Sequence, residues 1–218
     1  MKSIYEFLLK SKTVASTQDA DYVDLGLPSG LLWAKCNIGA EKPYEYGDYF
    51  MWGSTEPDTD KPCDWEHAPF NGGCEDINIP RFYAHRNKAC PNGILVPEYD
   101  AATVILGDEW RMPTADEFKE LIDNTEQEWV KNYQDSKING ILFKANSNEK
   151  YAELFIPAAG CRNESMFYNR GSSTYLWSSS INASSSIYAR RLAFNSSSHN
   201  TYYACRYYGF CMRGVKEN

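Results

Sequence analysis

The sequence has no basic stripe. Its 22 Lys and Arg are outnumbered by 29 Asp and Glu, for a formal net charge of −7. Nowhere do cations cluster densely enough to neutralise a row of phosphates. Nucleic acid and anionic membrane surfaces are therefore poor partners, which leaves a protein, a glycan or a small molecule. Long apolar runs are missing as well. No segment nears the roughly 20 residues needed to cross a bilayer, so membrane insertion is not expected. The first apolar patch, residues 4 to 9, is broken by Glu6 and followed by Lys10 and Lys12. It is too short and too charged for a secretory leader. A short helix within an N-terminal extension, residues 1–21, and a chain that is cytoplasmic as synthesised are the corresponding expectations. Histidine is scarce, at three, and no Ser-His-Asp or Cys-His set can be assembled. There is no Gly-rich phosphate-cradling loop, no repeat and no heptad. No catalytic residue and no cofactor are expected.

What is present suffices for a core. Of 218 residues, 43% are apolar and 15% aromatic, which fits one domain over residues 22–218. "YVDLGLPSGLLWAKCNIG", residues 22–39, alternates apolar residues around a Pro-Ser-Gly turn and reads as a β-hairpin. From Gly47 to Gly93 the punctuation by Pro57, Pro62, Pro69, Pro80, Pro91 and the Gly72-Gly73 pair predicts packed loops. The clearest helix runs from Thr114 to about Asn124. Thr114 and Glu117 form a capping box, and Phe118, Leu121 and Ile122 share one face. "GILFKAN" and "YAELFIPAAG" read as two strands of a hairpin. In the tail, "STYLWSSS", "IYARRLAF" and "YYGFCMRGV" read as three more.

The seven cysteines, at 36, 63, 74, 90, 161, 205 and 211, are odd in number and scattered. Reduced thiols are the default in a domain this large. Cys63, His67, Cys74, His85 and Cys90 do share one loop-rich stretch, with Cys-x3-His and His-x4-Cys spacings compatible with tetrahedral zinc. No Cys-x2-Cys knuckle accompanies them. Scattered buried thiols and solvated histidines are the competing reading, and no metal site is expected.

Several stretches together resemble a known family. "VDLGLPSGLLWAKCNIGA", "YGDYFMWGSTEP", "PEYDAATVILGDEWRMPTADEFKELIDN", "IPAAGCRN" and "LWSSS" followed by "YYGFCMRGV" are similar to the bacterial major paralogous domain, a relative of the formylglycine-generating (sulfatase-modifying) enzymes. The run from Trp110 to Phe118, Trp-Arg-Met-Pro-Thr-x-x-Glu-Phe, is the most specific piece. The resemblance covers about residues 22–215. It implies an α+β, C-type-lectin-like fold of mixed antiparallel sheets, few helices and long ordered loops, with the C-terminal strands building a ligand-facing surface.

Members of this group also serve as variable proteins of diversity-generating retroelements in gut-type bacteria and their phages. A virion component is accordingly a second expected location. In those systems a C-terminal segment is rewritten by adenine-specific mutagenesis. Changing the two adenines of an AAC codon reaches fifteen amino acids but never Lys, Glu, Gln, Met or Trp. These five types supply 43 of the 218 residues, yet none falls in the 33 residues from Ser178 to Phe210. Ordinary composition returns at Met212 and Lys216. A wet β surface rich in Ser, Asn and Tyr in a non-variable relative is the plainer alternative.

A surface that tolerates rewriting must interleave framework and variable positions. Trp177, Leu192, Phe194, Tyr208, Phe210 and Val215 are expected as buried anchors. By the family motif, Arg206 and Arg213 are structural, and Gly209 supplies a backbone turn. Between them Ser184, Ser186, Arg190, Arg191, Ala193, Ser198, His199, Asn200, Tyr202, Tyr203, Ala204, Cys205 and Tyr207 are the expected solvent-facing, partner-contacting positions. Tyr offers large amphipathic area at low entropy cost, while Ser and Asn offer adaptable hydrogen bonds. The expected partner is a protein or a cell-surface ligand.

Rival chemistries leave weaker traces. The resembled enzymes use an active-site Cys pair near the C-terminus, where Cys205 and Cys211 lie here, but the spacing differs. Calcium-dependent lectins carry Glu-Pro-Asn or Gln-Pro-Asp with Trp-Asn-Asp, because calcium needs convergent oxygens. Glu56-Pro57-Asp58 approaches the first motif and lacks the second.

Overall fold

The computed structural model describes residues 21–70, 88–146 and 152–218. The N-terminal helix expected within residues 1–21 lies outside this set apart from Asp21, as do Cys74 and His85. The fold is α+β and mostly sheet, built from antiparallel sheets with few helices.

Strands β1 (Tyr22–Asp24) and β2 (Leu32–Ala34) pair across the Pro-Ser-Gly turn as the sequence predicts, and β11 (Val215–Lys216) adds to the far side of β2. The last strand thus returns to the first hairpin. Fully buried Trp33 faces Val215 there, and its ring lies 5.7 Å from that of Phe118. Phe118 belongs to helix α2 (Ala115–Asp123), where the capping box forms in full. Thr114 Oγ1 accepts from the Glu117 amide at 3.2 Å, and Glu117 Oε2 accepts from the Thr114 amide at 2.7 Å. The remaining carboxylate lone pairs receive Arg111 in a bidentate pair at 2.8 and 2.6 Å. Trp-Arg-Met-Pro-Thr-x-x-Glu-Phe is therefore a clamp at a helix N-terminus. A helix not foreseen, α1 (Ala101–Leu106), starts at buried Asp100, whose carboxylate accepts from Ala102, Thr103 and the distant Met112 amide.

Strands β3 (Thr125–Val130), β4 (Gly140–Ala145) and β5 (Glu153–Pro157) form a second sheet in sequence order. The β4–β5 hairpin agrees with the sequence reading; β3 did not announce itself. A small hairpin, β6 (Cys161–Asn163) with β7 (Met166–Tyr168), follows.

The tail folds as a three-stranded meander of β8 (Ser173–Ile181), β9 (Tyr188–Asn195) and β10 (His199–Cys205), with β9 in the middle. Its third strand is not the "YYGFCMRGV" expected from the sequence. That segment instead makes single bridges, Phe210 to Phe50 and Cys211 to Leu176, before Val215 joins β2. The ladder between β8 and β9 slips between Trp177 and Ile181. The slip takes the three serines of "WSSS" out of the backbone ladder with β9. Ser179 takes the carbonyl of Pro113 and gives its own carbonyl to Leu95, and Ser180 Oγ accepts from Ala115. All three are buried, so the start of the tract is framework.

Because alternate residues of a strand face opposite ways, the meander is packed on both sides. Leu176, Leu192 and Phe194 join the larger core with Trp33, Phe118 and Phe143. Trp177, Ile181 and Ala189 join a second core with Trp52, Phe210 and Met212. Indole nitrogens knit the second core to the loops: Trp52 Nε1 donates to the Ser178 carbonyl at 2.8 Å, and Trp177 Nε1 to that of Phe50 at 2.9 Å.

Candidate binding surface

The expected anchors are where a framework requires them. Trp177, Leu192, Phe194, Phe210 and Val215 are buried, and Tyr208 is half-buried. Arg206 is enclosed, donating from Nε to the Ser186 carbonyl at 2.8 Å and from Nη1 to that of Pro69 at 3.2 Å. Arg213 is enclosed as well and donates to Asn37 Oδ1 and the carbonyls of Ala34, Lys35 and Phe155. Gly209 requires correction. It does not form a turn but a bridge to Arg162, and a Cβ there would lie 2.7 Å from Cys63 Sγ and 3.1 Å from Arg162 Cβ. Glycine is needed for close approach, not for conformational freedom.

The thirteen expected contact positions separate into three groups. Ser184, Ser198, His199, Asn200, Tyr202 and Tyr203 are exposed. Arg190, Arg191, Ala204, Cys205 and Tyr207 are half-buried. Ser186 and Ala193 are not solvent-facing: they retain only 9% and 8% exposure. Ala193 lies in the central strand between Tyr175 of β8 and Asn200 of β10, and the chain at Ser186 is held under Arg206. Strand register then divides the rest between two faces. Arg190 pairs with Tyr203 on one face; Arg191 pairs with Tyr202 on the other. A sequence reading that treats the tract as one surface misses this split, which needs the register to be seen.

On the first face, Tyr203 lies 5.2 Å from Tyr188, Arg190 Nη2 donates to Thr201 Oγ1 at 3.3 Å, and His199 stacks on Phe194. On the second, the Arg191 guanidinium lies over Tyr175 at 4.4 Å, Phe210 at 5.4 Å and Tyr202 at 5.9 Å. A cleft of about 240 Å³ opens there, lined by Tyr175, Arg191, Ala193, Phe194, Asn195, Ser198 and Tyr202. Tyr175 and Asn195 were not among the expected contacts. Both are framework-like positions, one before the tract and one pinned in a turn, so composition carried no sign of them. Beyond Tyr175, Asn169 donates to its hydroxyl at 3.3 Å. Next to Asn169, strand β7 exposes Met166, Phe167 and Tyr168 in a row, with Arg170 over Phe167 at 3.4 Å. Three consecutive exposed apolar residues are visible in the sequence as "MFY", though only the structure links the segment, through Asn169, to Tyr175 at the cleft.

The rival sites fare differently. Asp58 is buried, and its carboxylate accepts from the Met51 amide. It braces a loop, and burial holds its carboxyl above the usual range. Among the described residues no group of three or more His, Cys, Asp or Glu could hold a metal ion. Cys63 and Cys90 sit in different cores, while His67 Nδ1 meets Asp64 at 2.7 Å. The zinc-compatible set as a whole includes Cys74 and His85, outside the described residues. Cys211 is enclosed in the main core and burial pushes its thiol far up, whereas Cys205 is half-buried at the end of β10. A larger cavity of about 790 Å³ lies away from β10, between the Cys36–Glu41 loop, Trp110 and Phe155.

Comparison with protein-family models, curated proteins and solved structures gives no match.

Proposed function

We propose that this chain is a non-enzymatic binding protein of C-type-lectin-like fold whose residues 178–210 form a retroelement-diversified surface that engages a protein or a cell-surface ligand. One observation carries the reading. The 33 residues without Lys, Glu, Gln, Met or Trp are those that fold as the end of β8, β9, the exposed edge strand β10, their connecting turns and the segment that follows β10 to Phe210. Buried side chains that hold the meander are interspersed there with the exposed side chains of Ser184, Ser198, His199, Asn200, Tyr202 and Tyr203. Support also comes from the tyrosines: Tyr202 and Tyr203 are 45% and 55% exposed on opposite faces of one strand. Exposed aromatic groups of this kind dominate binding energy when a partner covers them.

The test is a library. Ser184, Ser198, His199, Asn200, Tyr202 and Tyr203 are recoded together as codons ending in C with the first two bases random, and the pool is displayed and selected against unrelated proteins. Most clones are expected to unfold cooperatively near the parent temperature, and selection is expected to yield binders. A pool that largely fails to fold would contradict the proposal.

A further inference from the structure

A buried guanidinium normally spends its N–H groups on acceptors. Arg111, Arg162, Arg170, Arg190, Arg206 and Arg213 each donate at least one hydrogen bond. Arg191 is the exception among the described arginines. Its Nε and Nη1 are enclosed without a partner, and no carboxylate pairs with it among the described residues. Three aromatic rings surround it instead, and ring faces stabilise the charge without occupying the N–H groups. Arg191 lines the cleft, and Nη2 is the one nitrogen of its guanidinium not among the enclosed, unpartnered atoms.

The rim carries a second donor. Asn195 Oδ1 is occupied, accepting from the Ser197 and Ser198 amides at 2.8 Å each. That turn fixes which end of the amide is which, and leaves Nδ2 with no protein acceptor among the described residues. A cleft of about 240 Å³ lined by a guanidinium, an amide N–H pair and aromatic rings, with no carboxylate in its wall, has the chemistry of an anion receptor.

We propose that the cleft between Tyr175, Arg191, Asn195 and Tyr202 binds a carboxylate carried on a flat or apolar body, with one oxygen on Arg191 Nη2. This deepens the binding-surface reading and rests on it only for the supposition that a partner's acidic side chain is the natural source. Tyr175 and Tyr202, which line the cleft, favour a carboxylate on an apolar body over a bare tetrahedral anion, because their rings offer the body apolar contact.

The experiment is a titration of the unaltered chain, reading the ¹⁵N-bound proton of Arg191 Nε by NMR. Benzoate is the probe; benzamide, the neutral isostere, and inorganic phosphate are the controls. Benzoate is expected to shift the Arg191 signal saturably, with little response to either control. Arg191→Gln is expected to weaken benzoate roughly tenfold, with Asn195→Ala a milder second variant that leaves the guanidinium in place. An acidic peptide that competes with benzoate would identify a side chain as the source; one that does not would leave a small carboxylate. No Arg191 shift with benzoate, or an equal shift with benzamide or phosphate, overturns the assignment. Neither result depends on whether residues 178–210 are diversified, so loss of the cleft leaves the surface reading intact, and the reverse.

Discussion

Arg206 Nε donates to the carbonyl of Ser186 at 2.8 Å. A framework arginine therefore holds the backbone of the tract, and does so at an atom that every amino acid possesses. The Arg206 amide repeats the arrangement, donating to the Ile187 carbonyl at 3.0 Å. The turn between β8 and β9 can change its side chains while keeping its path.

Arg206→Ala leaves buried carbonyls without donors and should cost about 2–4 kcal/mol of unfolding free energy. Replacing Ser184, which is exposed and bonds only to Asn182 within its own turn, should change it by less than about 1 kcal/mol. Urea unfolding of the two variants measures the difference.

Gly209→Ala places a methyl group 2.7 Å from Cys63 Sγ and close to Arg162 Cβ. Neither neighbour is the loose end of a long chain, so the strain is expected to cost about 1–3 kcal/mol. A Cys63→Ala, Gly209→Ala double variant should recover part of it, which thermal unfolding would register.

On β10, Tyr202→Ala and Tyr203→Ala are each expected to stay within about 1 kcal/mol of the parent. On the neighbouring strand, Leu192→Ala removes a fully buried side chain and should cost about 2–5 kcal/mol. If the tyrosine variants were as damaging as the leucine variant, β10 would be a structural strand and not a display surface.

These contrasts also mark how far the sequence could be read. Thr114, Glu117 and Phe118 announced their helix because capping is a local exchange between residues three apart. The hairpin at 22–39 was legible from alternation around its turn, and that at 140–157 from two apolar runs on either side of a polar stretch. Strand β10 was not, because "HNTYYAC" has no apolar period: it is an edge strand whose residues are mostly exposed or half-exposed on both sides. The segment with the apolar signal, "YYGFCMRGV", threads between the two cores and pairs at isolated bridges until Val215 joins β2. Ala193 and Ser186 illustrate the same limit at single residues. A small side chain fits a crowded central strand as readily as a wet surface, and composition cannot distinguish the two.

The Arg111–Glu117 pair makes stability depend on pH in a definite direction. Burial alone would raise the Glu117 carboxyl, but the Arg111 guanidinium and the Thr114 amide outweigh it and hold the group below the usual range. A carboxyl depressed in the folded state contributes stability that is present above its unfolded pKa, about 4.3, and is lost as pH falls through the lower folded value. Unfolding free energy should therefore decline below about pH 4, and Glu117→Gln should flatten that decline. Asp100 runs the other way, since burial raises its carboxyl, so Asp100→Asn should not flatten the same limb.

Thiol chemistry supplies a further check. Burial and the nearby Asp58 push Cys63 up to about 12, and Cys211 is raised by its enclosure. Cys63 is therefore held as the protonated, unreactive thiol at ordinary pH. Both should resist alkylation until the chain unfolds, as mass spectrometry of iodoacetamide-treated protein would show. Rapid native labelling of Cys211 would instead revive a thiol-based activity near Cys205.

The most direct measurement is the DNA of the locus. If residues 178–210 are retroelement-diversified, a reverse-transcriptase gene is expected nearby with a near-identical repeat of codons 178–210, differing from them only where the repeat carries adenine. The differences are expected at codons of exposed residues such as Ser184, Asn200, Tyr202 and Tyr203, and not at those of Leu192, Phe194, Arg206 and Phe210. A locus without such a repeat, or one whose differences strike the buried anchors or other bases, would contradict diversification.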